Sequence, residues 1–485
     1  MLCQNAVLFS SAPEILTAIE NLTRPNFRVY LSTVAKHYID FRNGVALSRC
    51  QKEIARFYLP QKSINKLSFY PCGSTCLKLI VDQYDKVQKS PTKYCLQFVF
   101  NIDGKEILFC CGEYSEDEAE KLCKKLNEIN LCEVVEMTKS DPIKKDALAG
   151  LNTYELMKFL SRYLHIHTTA AAALVQKLYE LGLISYPRSE TSKYTKDLTV
   201  NQQQLCANLL KFNSKFEDTD IFKAIKEMKI EVEKALDKGE DCKDHPPITP
   251  TEKWLEDLNE MRYDREELEI VYNFIVRRFL ASFADDYQYC EETIKFKIGE
   301  EDEFQYSYFT TENPGFTTLL PELIKDGTRD ESLLPLLKIG SELPFKVEAK
   351  EIELVQVMED NHIGTDGSIP THIYNIEKNG LVKIDNDSFE FNPEKLGLLM
   401  SKSYEKCIPN SIDPMFRAKF FRDLKAIASG EKKFAEVYDK IMIKIDQNFQ
   451  QLSKTFDDYF YKHIADFRDC FQDITKRLPV RKCLF

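Results

Sequence analysis

The chain has 485 residues, of which 43% are hydrophobic and 29% charged, and its formal net charge is −11 at pH 7. This length accommodates several domains with a sizeable core, and the composition excludes global disorder. The acidic balance disfavours a domain that is basic throughout and binds nucleic acid, although an acidic exterior can surround a basic channel.

Cysteine spacing and the length of apolar runs indicate whether the protein is intracellular, binds zinc or spans a membrane. The fifteen cysteines are odd in number and include no Cys-x-x-Cys pair, so we expect reduced thiols in an intracellular protein and no zinc site. No stretch approaches the roughly eighteen apolar residues of a membrane span. The beginning of the chain, MLCQNAVLFSSAPEIL, has no basic region before its apolar part, so we expect no signal peptide.

The apolar spacing changes along the first part of the chain from helical to strand-like and back. Residues 11–60 place apolar side chains three and four positions apart, which predicts helices. Residues 93–137 alternate instead, with a hairpin that turns at Asp103-Gly104 and a helix, SEDEAEKLCKKLNEIN, before a further strand. Residues 153–181 are again predicted to be helical.

The second half follows the same mixed order. Residues 201–238 predict a polar helix that ends in a proline-rich connector, DKGEDCKDHPPITPTE. The segment ETIKFKIGEEDEFQYSYF predicts a second hairpin with acidic residues in its turn, and the last third predicts helices. The chain is therefore expected to be an α+β protein with several domains.

Two segments share an order of elements, namely helix, turn, helix, glycine and a short β unit. They are TYELMKFLSRYLHIHTTAAAALVQKLYELGLISYP and VQVMEDNHIGTDGSIPTHIYNIEKNGLVKIDNDSFEFNP. This order is that of a winged helix, which often places a helix against DNA. Glycine-capped helix pairs are also common packing units, so the pattern leaves DNA binding and simple packing both open.

The stretch ISYPRSE carries the strongest chemical feature. A tyrosine hydroxyl is a weak nucleophile, so Tyr186 attacks only where its anion or its transition state is stabilised. Pro187 restricts Tyr186 to extended geometry, and Arg188 projects to the same side of an extended chain. Its guanidinium can hold a phosphate while the phenolic oxygen attacks phosphorus, and Ser189 and Thr191 add hydroxyl donors. The alternative is a tyrosine packed at a strand end beside a solvated arginine.

A histidine in the proline-rich connector is the second candidate. His245 precedes two prolines, so the loop is stiff and presents the imidazole at one place. A lone loop histidine is more often a polar surface residue, and the residues alone leave both interpretations open.

Taken together, these motifs resemble those of type IA DNA topoisomerases, and most closely the eukaryotic topoisomerase III branch. LNTYELMKFLSRYLHIHTTAAAALVQKLYELGLISYPRSET is similar to the family's catalytic segment, whose tyrosine lies in Ser-Tyr-Pro-Arg-Thr-Glu-Thr. DHPPITPTE is similar to Ala-His-Pro-Pro-Ile, and MEDNHIGTDGSIPTHIYNIEKNGLV to a segment with Gly-Ile-Gly-Thr-Asp-Ala-Thr. SAPEILTAIENLTRPN and DFRNGVALSR are similar to helices that follow the family's metal domain, so the resemblance runs nearly end to end.

The resemblance implies roles for individual residues. Tyr186 is then the nucleophile that forms a 5′-phosphotyrosyl link, Arg188 stabilises the phosphate, and His245 supports the same catalytic site. The residues implied to contact DNA are Arg42, Arg49, Ser68, Arg162, Ser189, Thr191, Gly364, Thr365 and Asp366. The resemblance implies no metal ligand in this chain.

The implied architecture is a type IA topoisomerase core, a torus built from winged-helix-like domains and a β-rich arch. The implied domains are a helical single-strand-binding domain (1–88 and 356–485), the arch (89–145 and 286–355) and a winged-helix-like domain with the tyrosine (146–285). The implied reaction cuts one strand, passes another through the gap and reseals the first, for relaxation or decatenation in recombination and repair. It needs no ATP, because the phosphotyrosine retains the bond energy. A nuclear protein that binds single-stranded DNA is implied, with a helicase or repair scaffold as partner and no membrane.

The sequence departs from the family pattern in several places, among them His362 where the family has a glycine and Thr169 where it has a basic residue. The Toprim domain, whose Asp-x-Asp-x-Glu-Gly-Glu cluster binds the magnesium expected for the family, is expected to be absent, either truncated or supplied by a separate chain. The family's strand-binding motif, Ser-Tyr-Gly-Ser-Cys-Gln-Phe-Pro-Thr-Leu, reads SFYPCGSTCL here, with Gly73 and Thr75 in place of glutamine and proline. Three hypotheses stay open: a topoisomerase core, a paralogue that binds single-stranded DNA or repair partners without cleaving, and a scaffold that retains only the fold.

Overall fold

The computed structural model describes most of the chain. The described stretches are residues 26–89, 93–102, 105–164, 168–194, 238–242, 244–251, 265–300, 302–329, 332–351, 369–384 and 391–476, with a few single residues besides. Three predicted site residues, Gly364, Thr365 and Asp366, lie outside the described residues. The predicted hairpin turn at Asp103-Gly104 and most of the predicted helix over 201–238 also lie outside them.

The described residues form helices and strands in a mixed order. The helices are α1 (Phe27–Ala55), α2 (Gln61–Ile64), α3 (Pro71–Lys89), α4 (Glu116–Ile129), α5 (Thr153–Arg162), α6 (Thr168–Glu180), α7 (Arg265–Ala281), α8 (Ile369–Lys378), α9 (Lys395–Cys407), α10 (Pro409–Ile412), α11 (Pro414–Ser429), α12 (Phe434–Lys462) and α13 (Ile464–Lys476). The strands are β1 (Tyr94–Ile102), β2 (Lys105–Tyr114), β3 (Leu131–Lys139), β4 (Ile143–Lys145), β5 (Tyr287–Ile298), β6 (Asp302–Asn313), β7 (Thr328–Arg329), β8 (Glu342–Glu351), β9 (Val382–Ile384) and β10 (Phe391–Pro393).

The longer strands form one sheet with the order β2-β1-β8-β3-β5-β6-β7, and β4 pairs with β5 beside this path. Strand β8 lies between β1 and β3, so it joins two parts of the chain that are far apart in sequence. Phenylalanine rings pack at its core, where Phe98 and Phe296 are buried with ring centroids 5.4 Å apart. These strands lie in the two segments predicted for the arch.

A second body consists of helices, among them α1, α3, α9 and α12. Leu47 on α1 and Leu452 and Phe456 on α12 are fully buried in its core. An ion pair joins α1 to α11, because two guanidinium nitrogens of Arg417 contact the Asp40 carboxylate at 2.6 and 2.8 Å. Removing one partner of such a largely buried pair leaves an uncompensated charge, so the pair fixes α11 against α1.

A third core is formed by α5, α6 and α7. Val175 on α6 and Phe274 on α7 are fully buried, and the ring of Phe274 stacks on that of Phe159 with centroids 3.8 Å apart. The segments 183–185 and 248–250 pack against this core through buried Leu183, Ile184 and Ile248. The ISYPRSE stretch therefore begins inside this core and leaves it at the tyrosine.

The α+β prediction is confirmed. Strands β1 and β2 pair, as do β5 and β6, at the positions of the two predicted hairpins. In the second winged-helix-like segment, α8, Gly380 with a φ of 67° and the β9–β10 pair lie within the described residues. Among the helices that the structure describes, none is long and apolar enough to cross a membrane.

Candidate active site

The segment that leads into Tyr186 is held by an isolated β-bridge and by hydrogen bonds to Thr249. Ile184 forms an antiparallel bridge with Pro250. The Ser185 N–H donates to the Thr249 carbonyl at 2.8 Å, and the Thr249 N–H donates to the Ser185 hydroxyl at 2.9 Å. The segment PPITP is thus the partner of Leu183-Ile184-Ser185, and Tyr186 is the first residue beyond this pairing.

The Tyr186 ring is half-buried between two other rings. Its centroid lies 4.4 Å from the imidazole centroid of His245, with 51° between the ring planes. On α6, Tyr179 contacts it at 5.4 Å with nearly perpendicular planes at 80°. The structure therefore brings the predicted nucleophile and the predicted histidine together, and adds a tyrosine that the sequence analysis did not single out.

The backbone around Arg188 is pinned by the start of α5. The buried Thr153 hydroxyl lies 2.8 Å from the Pro187 carbonyl oxygen and accepts the Ser189 N–H at 2.8 Å. The Thr153 N–H in turn donates to the Ser189 carbonyl at 2.9 Å. These bonds hold the main chain on both sides of Arg188, whose own side chain is exposed. A fixed backbone and an exposed guanidinium are what an anion site beside Tyr186 requires.

Ser189 and Thr191 use their hydroxyls within the protein. Both residues are buried, and the Ser189 hydroxyl donates to the His245 carbonyl at 2.7 Å. The Thr191 hydroxyl donates to the Asp244 carboxylate, which also accepts the Glu190 N–H at 2.7 Å. These contacts tie the segment after Tyr186 to the segment with His245. Contact of either hydroxyl with DNA stays a prediction.

One nitrogen of His245 has no partner among the residues that the structure describes. The Nδ1 atom is buried there without a hydrogen bond. A buried polar atom without a partner destabilises a fold by about 1–3 kcal/mol, so most residues that only pack avoid it. His245 therefore fits a functional group better than the surface residue that its loop context suggested.

A cleft of about 530 Å³ lies beside the segment that contains Ser189 and Glu190, between the helical body and the tyrosine-bearing core. One wall is formed by α1 and α11, with Lys36, Arg422 and Lys425, and the other includes Glu190 and Glu240. Two aromatic side chains, those of Phe421 and Tyr154, also line it. The cations were not predicted from sequence, because α11 reads as an ordinary amphipathic helix and only the packing of two distant segments creates the cleft.

A thiol in this cleft is not a second nucleophile. Burial raises the pKa of the Cys242 thiol, and the nearby Lys425 lowers it only in part. The thiol is therefore protonated at neutral pH, and a protonated thiol is a poor nucleophile.

The other predicted DNA contacts lie on two different bodies. Arg42 and Arg49 are both exposed on α1, seven residues apart and hence on nearly the same helix face. Ser68 is half-buried and its hydroxyl accepts a hydrogen bond from Lys52 Nζ at 2.7 Å. Arg162 ends α5, with its guanidinium 5.2 Å from the Tyr163 ring centroid, at the opposite end of that helix from Thr153. Their contact with DNA stays a prediction.

The described residues do not fit a magnesium ion. Within the described ranges, no three His, Cys, Asp or Glu side chains lie close enough together to hold a metal. Near Tyr186, both carboxylate oxygens of Asp244 already accept hydrogen bonds from Glu190 and Thr191.

Comparison with known proteins decides the family. A family model described as DNA topoisomerase matches residues 24–439. The chain belongs to the DNA topoisomerase family. It is a type IA, topoisomerase III-like member, being 30% identical over 444 residues to DNA topoisomerase 3-beta-1 and 26% identical over 503 residues to DNA topoisomerase 3-alpha, both from Homo sapiens.

The alignments cover most of this chain but only about half of each relative. The alignments include 87% and 97% of this topoisomerase III-like chain but only 49% and 47% of the relatives, so the chain spans about half their length. Its fold is also that of full-length topoisomerase I from Thermotoga maritima, with a TM-score of 0.69 at 18% identity, covering 93% of this chain and 74% of that one. The type IA fold predicted from sequence is therefore confirmed.

Proposed function

We propose that this chain cleaves and rejoins single-stranded DNA through Tyr186, as the tyrosine-bearing part of a type IA topoisomerase. The observation that carries the proposal is the arrangement of Tyr186, with His245 against its ring at 4.4 Å and exposed Arg188 two residues on, its backbone pinned by Thr153. A residue that only packs at a strand end needs neither a fixed arginine backbone nor a neighbouring imidazole.

The reaction balances as a transesterification. The phenolic oxygen of Tyr186 forms a bond to phosphorus and loses its proton to solvent, while the bond from phosphorus to the 3′ oxygen breaks and that oxygen takes up a proton. Arg188 stabilises the charge that builds on the two non-bridging oxygens. Resealing is the reverse step, and because one phosphoester replaces another, no ATP is needed.

The test uses a DNA strand whose cleavage does not require an acid to protonate the leaving group. A single-stranded oligonucleotide with a 3′-bridging phosphorothiolate at one position releases a thiolate, which departs readily without a proton. We expect a covalent protein–DNA adduct on a denaturing gel, and none from the Tyr186→Phe variant, which keeps the ring but lacks the nucleophile. An equal adduct yield from both proteins would refute the role of Tyr186.

A second candidate function is binding of single-stranded DNA without cleavage. It is favoured by the cleft, where Lys36, Arg422 and Lys425 form a basic wall that suits the phosphates of a single strand. Salt-sensitive binding with no adduct, even on the activated oligonucleotide, would support this function over the first.

The cellular setting extends the same proposal. From the family we infer a nuclear location and roles in recombination and repair. We also infer relaxation or decatenation as the overall reaction, and a helicase, repair scaffold or Toprim-bearing chain as partner. Adding a Toprim-bearing chain with Mg²⁺ to the adduct assay on ordinary oligonucleotide tests the last of these. An adduct that depends on both components supports it.

A further inference from the structure

The contact between Tyr179 and Tyr186 is set by how α6 ends. The Leu183 N–H donates to the Leu178 carbonyl at 3.0 Å and the Gly182 N–H donates to the Tyr179 carbonyl at 2.8 Å. This is a Schellman cap, and it requires the left-handed φ of 74° that Gly182 adopts. The cap turns the chain back across the end of α6, so a residue beyond it meets one in the last helical turn.

Tyr179 is itself held in place by the core. The preceding residue, Leu178, and Val175 are fully buried, so α6 cannot rotate without exposing them. The Tyr179 ring consequently meets the Tyr186 ring from a fixed position at 5.4 Å and 80°. A perpendicular arrangement at this separation is one of the two that aromatic pairs prefer.

Two rings on different segments thus restrain the Tyr186 ring. His245 contacts it from the connector and Tyr179 contacts it from α6. Pro187 restricts the Tyr186 backbone but not its side-chain rotation. A tyrosine side chain has two rotatable bonds, and rotation about either one moves the ring. The rings of His245 and Tyr179 restrain both rotations at Tyr186.

The ring of Tyr179, and not its hydroxyl, makes this contact. Within the described part of the chain the Tyr179 hydroxyl has no hydrogen bond, and Tyr186 is its aromatic neighbour. We propose that Tyr179 is a positioning residue, whose ring holds the Tyr186 phenol in the orientation from which it attacks the phosphate beside Arg188. This inference rests on the proposed function of Tyr186.

The kinetic test compares Tyr179→Phe with Tyr179→Leu. Adduct formation on the 3′-phosphorothiolate oligonucleotide is followed at saturating DNA, and the dissociation constant is measured separately by fluorescence anisotropy. We expect Tyr179→Phe to react within about twofold of the parent chain, and Tyr179→Leu to react roughly 10- to 100-fold more slowly with an unchanged dissociation constant. A parental rate for Tyr179→Leu, or an equal loss in Tyr179→Phe, would overturn the inference.

A spectroscopic test separates this inference from the proposed function. The chain is labelled with 3-fluorotyrosine, and the ¹⁹F signal of Tyr186 is identified by its loss in Tyr186→Phe. We expect a single shifted Tyr186 signal in the parent chain and in Tyr179→Phe, and a signal nearer to that of free tyrosine in Tyr179→Leu. If the parent chain forms no adduct, the proposed function fails while this measurement still decides whether Tyr179 orients Tyr186.

Folding of the leucine variant is controlled directly. Thermal unfolding is recorded for each variant, and Tyr179→Met, which places another unbranched helix former at the site, replaces Tyr179→Leu if the latter unfolds at lower temperature. A Met variant with the parental ¹⁹F signal contradicts the inference as firmly as a Leu variant would.

Discussion

Removing the Thr153 hydroxyl should loosen the loop that carries Arg188. In Thr153→Val the side chain keeps its shape, but the Ser189 N–H loses the acceptor that it contacts at 2.8 Å, and the Pro187 carbonyl loses its neighbour at 2.8 Å. Thr153 is only 6% exposed, so water does not readily replace the lost group. A buried donor left without a partner destabilises a fold by about 1–3 kcal/mol.

The expected effect is local, because the bonds concerned join residues 187–189 to the start of α5. A loss of about 2 kcal/mol corresponds to roughly 30-fold faster hydrogen exchange, since every 1.4 kcal/mol is about tenfold. Hydrogen–deuterium exchange with mass spectrometry on peptides that span residues 183–194 measures it. Thr153→Ser keeps the hydroxyl and should exchange within about threefold of the parent. If Thr153→Val also exchanges at the parental rate, these bonds do not hold the Arg188 loop, and the account of the pinned backbone is wrong.

Three further predictions concern charge and packing near the site. Burial alone would raise the pKa of Asp286, but hydrogen bonds from Lys144 and the Ala147 N–H, with Lys238 nearby, outweigh burial and lower this pKa. The carboxylate therefore stabilises the fold above about pH 4, and this stabilisation is lost as pH falls through the folded-state pKa of Asp286. The thermal midpoint of the parent chain should therefore fall more steeply on acidification than that of Asp286→Asn, and parallel curves would contradict this. Lys425→Glu should weaken binding of single-stranded DNA and reduce the salt dependence of log Kd by about 0.7, whereas Lys346→Glu on β8 should leave both unchanged; equal effects would show that the cleft is not the site. Gly150→Ala should lower the thermal midpoint because the new methyl carbon would lie 2.7 Å from both the Pro247 side chain and the Ser192 carbonyl oxygen. Gly44→Ala, whose nearest neighbour is at 3.5 Å, should be tolerated. Two similar midpoints would contradict the close packing of Gly150 against Pro247.

The sequence predicted local features of this protein better than long-range ones. The hairpins form because alternating apolar residues flank short polar turns, and that pattern is local. The insertion of β8 between β1 and β3 could not be predicted, because it pairs residues that are more than two hundred positions apart. The cleft has the same origin, since Lys36 and Lys425 meet only through the packing of α11 on α1.

At the candidate active site, too, local features were predicted from the sequence and long-range contacts were not. Pro187 predicted extended geometry at Tyr186, but no local pattern predicted that Thr249 and Pro250 pair with the residues before it. The resemblance to a family, not the residue pattern, connected His245 with Tyr186. The contact of Tyr179 with Tyr186 was not predicted, although the sequence contains a signal for it. A glycine two residues after the end of a helix signals a reversing cap, and such a cap brings the following segment back across the last turn.

The proposed function depends on one covalent step, in which Tyr186 becomes attached to the 5′ side of a cut strand. The most direct test digests the phosphorothiolate adduct with trypsin and nuclease and sequences the modified peptide, Leu178–Arg188, by tandem mass spectrometry. Because this peptide contains both Tyr179 and Tyr186, its fragment ions assign the nucleotide to one of them. We expect a 5′-phosphonucleotide on Tyr186 and a free 3′-thiol on the released strand. Attachment at any other residue, or a 3′-linked nucleotide, would contradict this expectation.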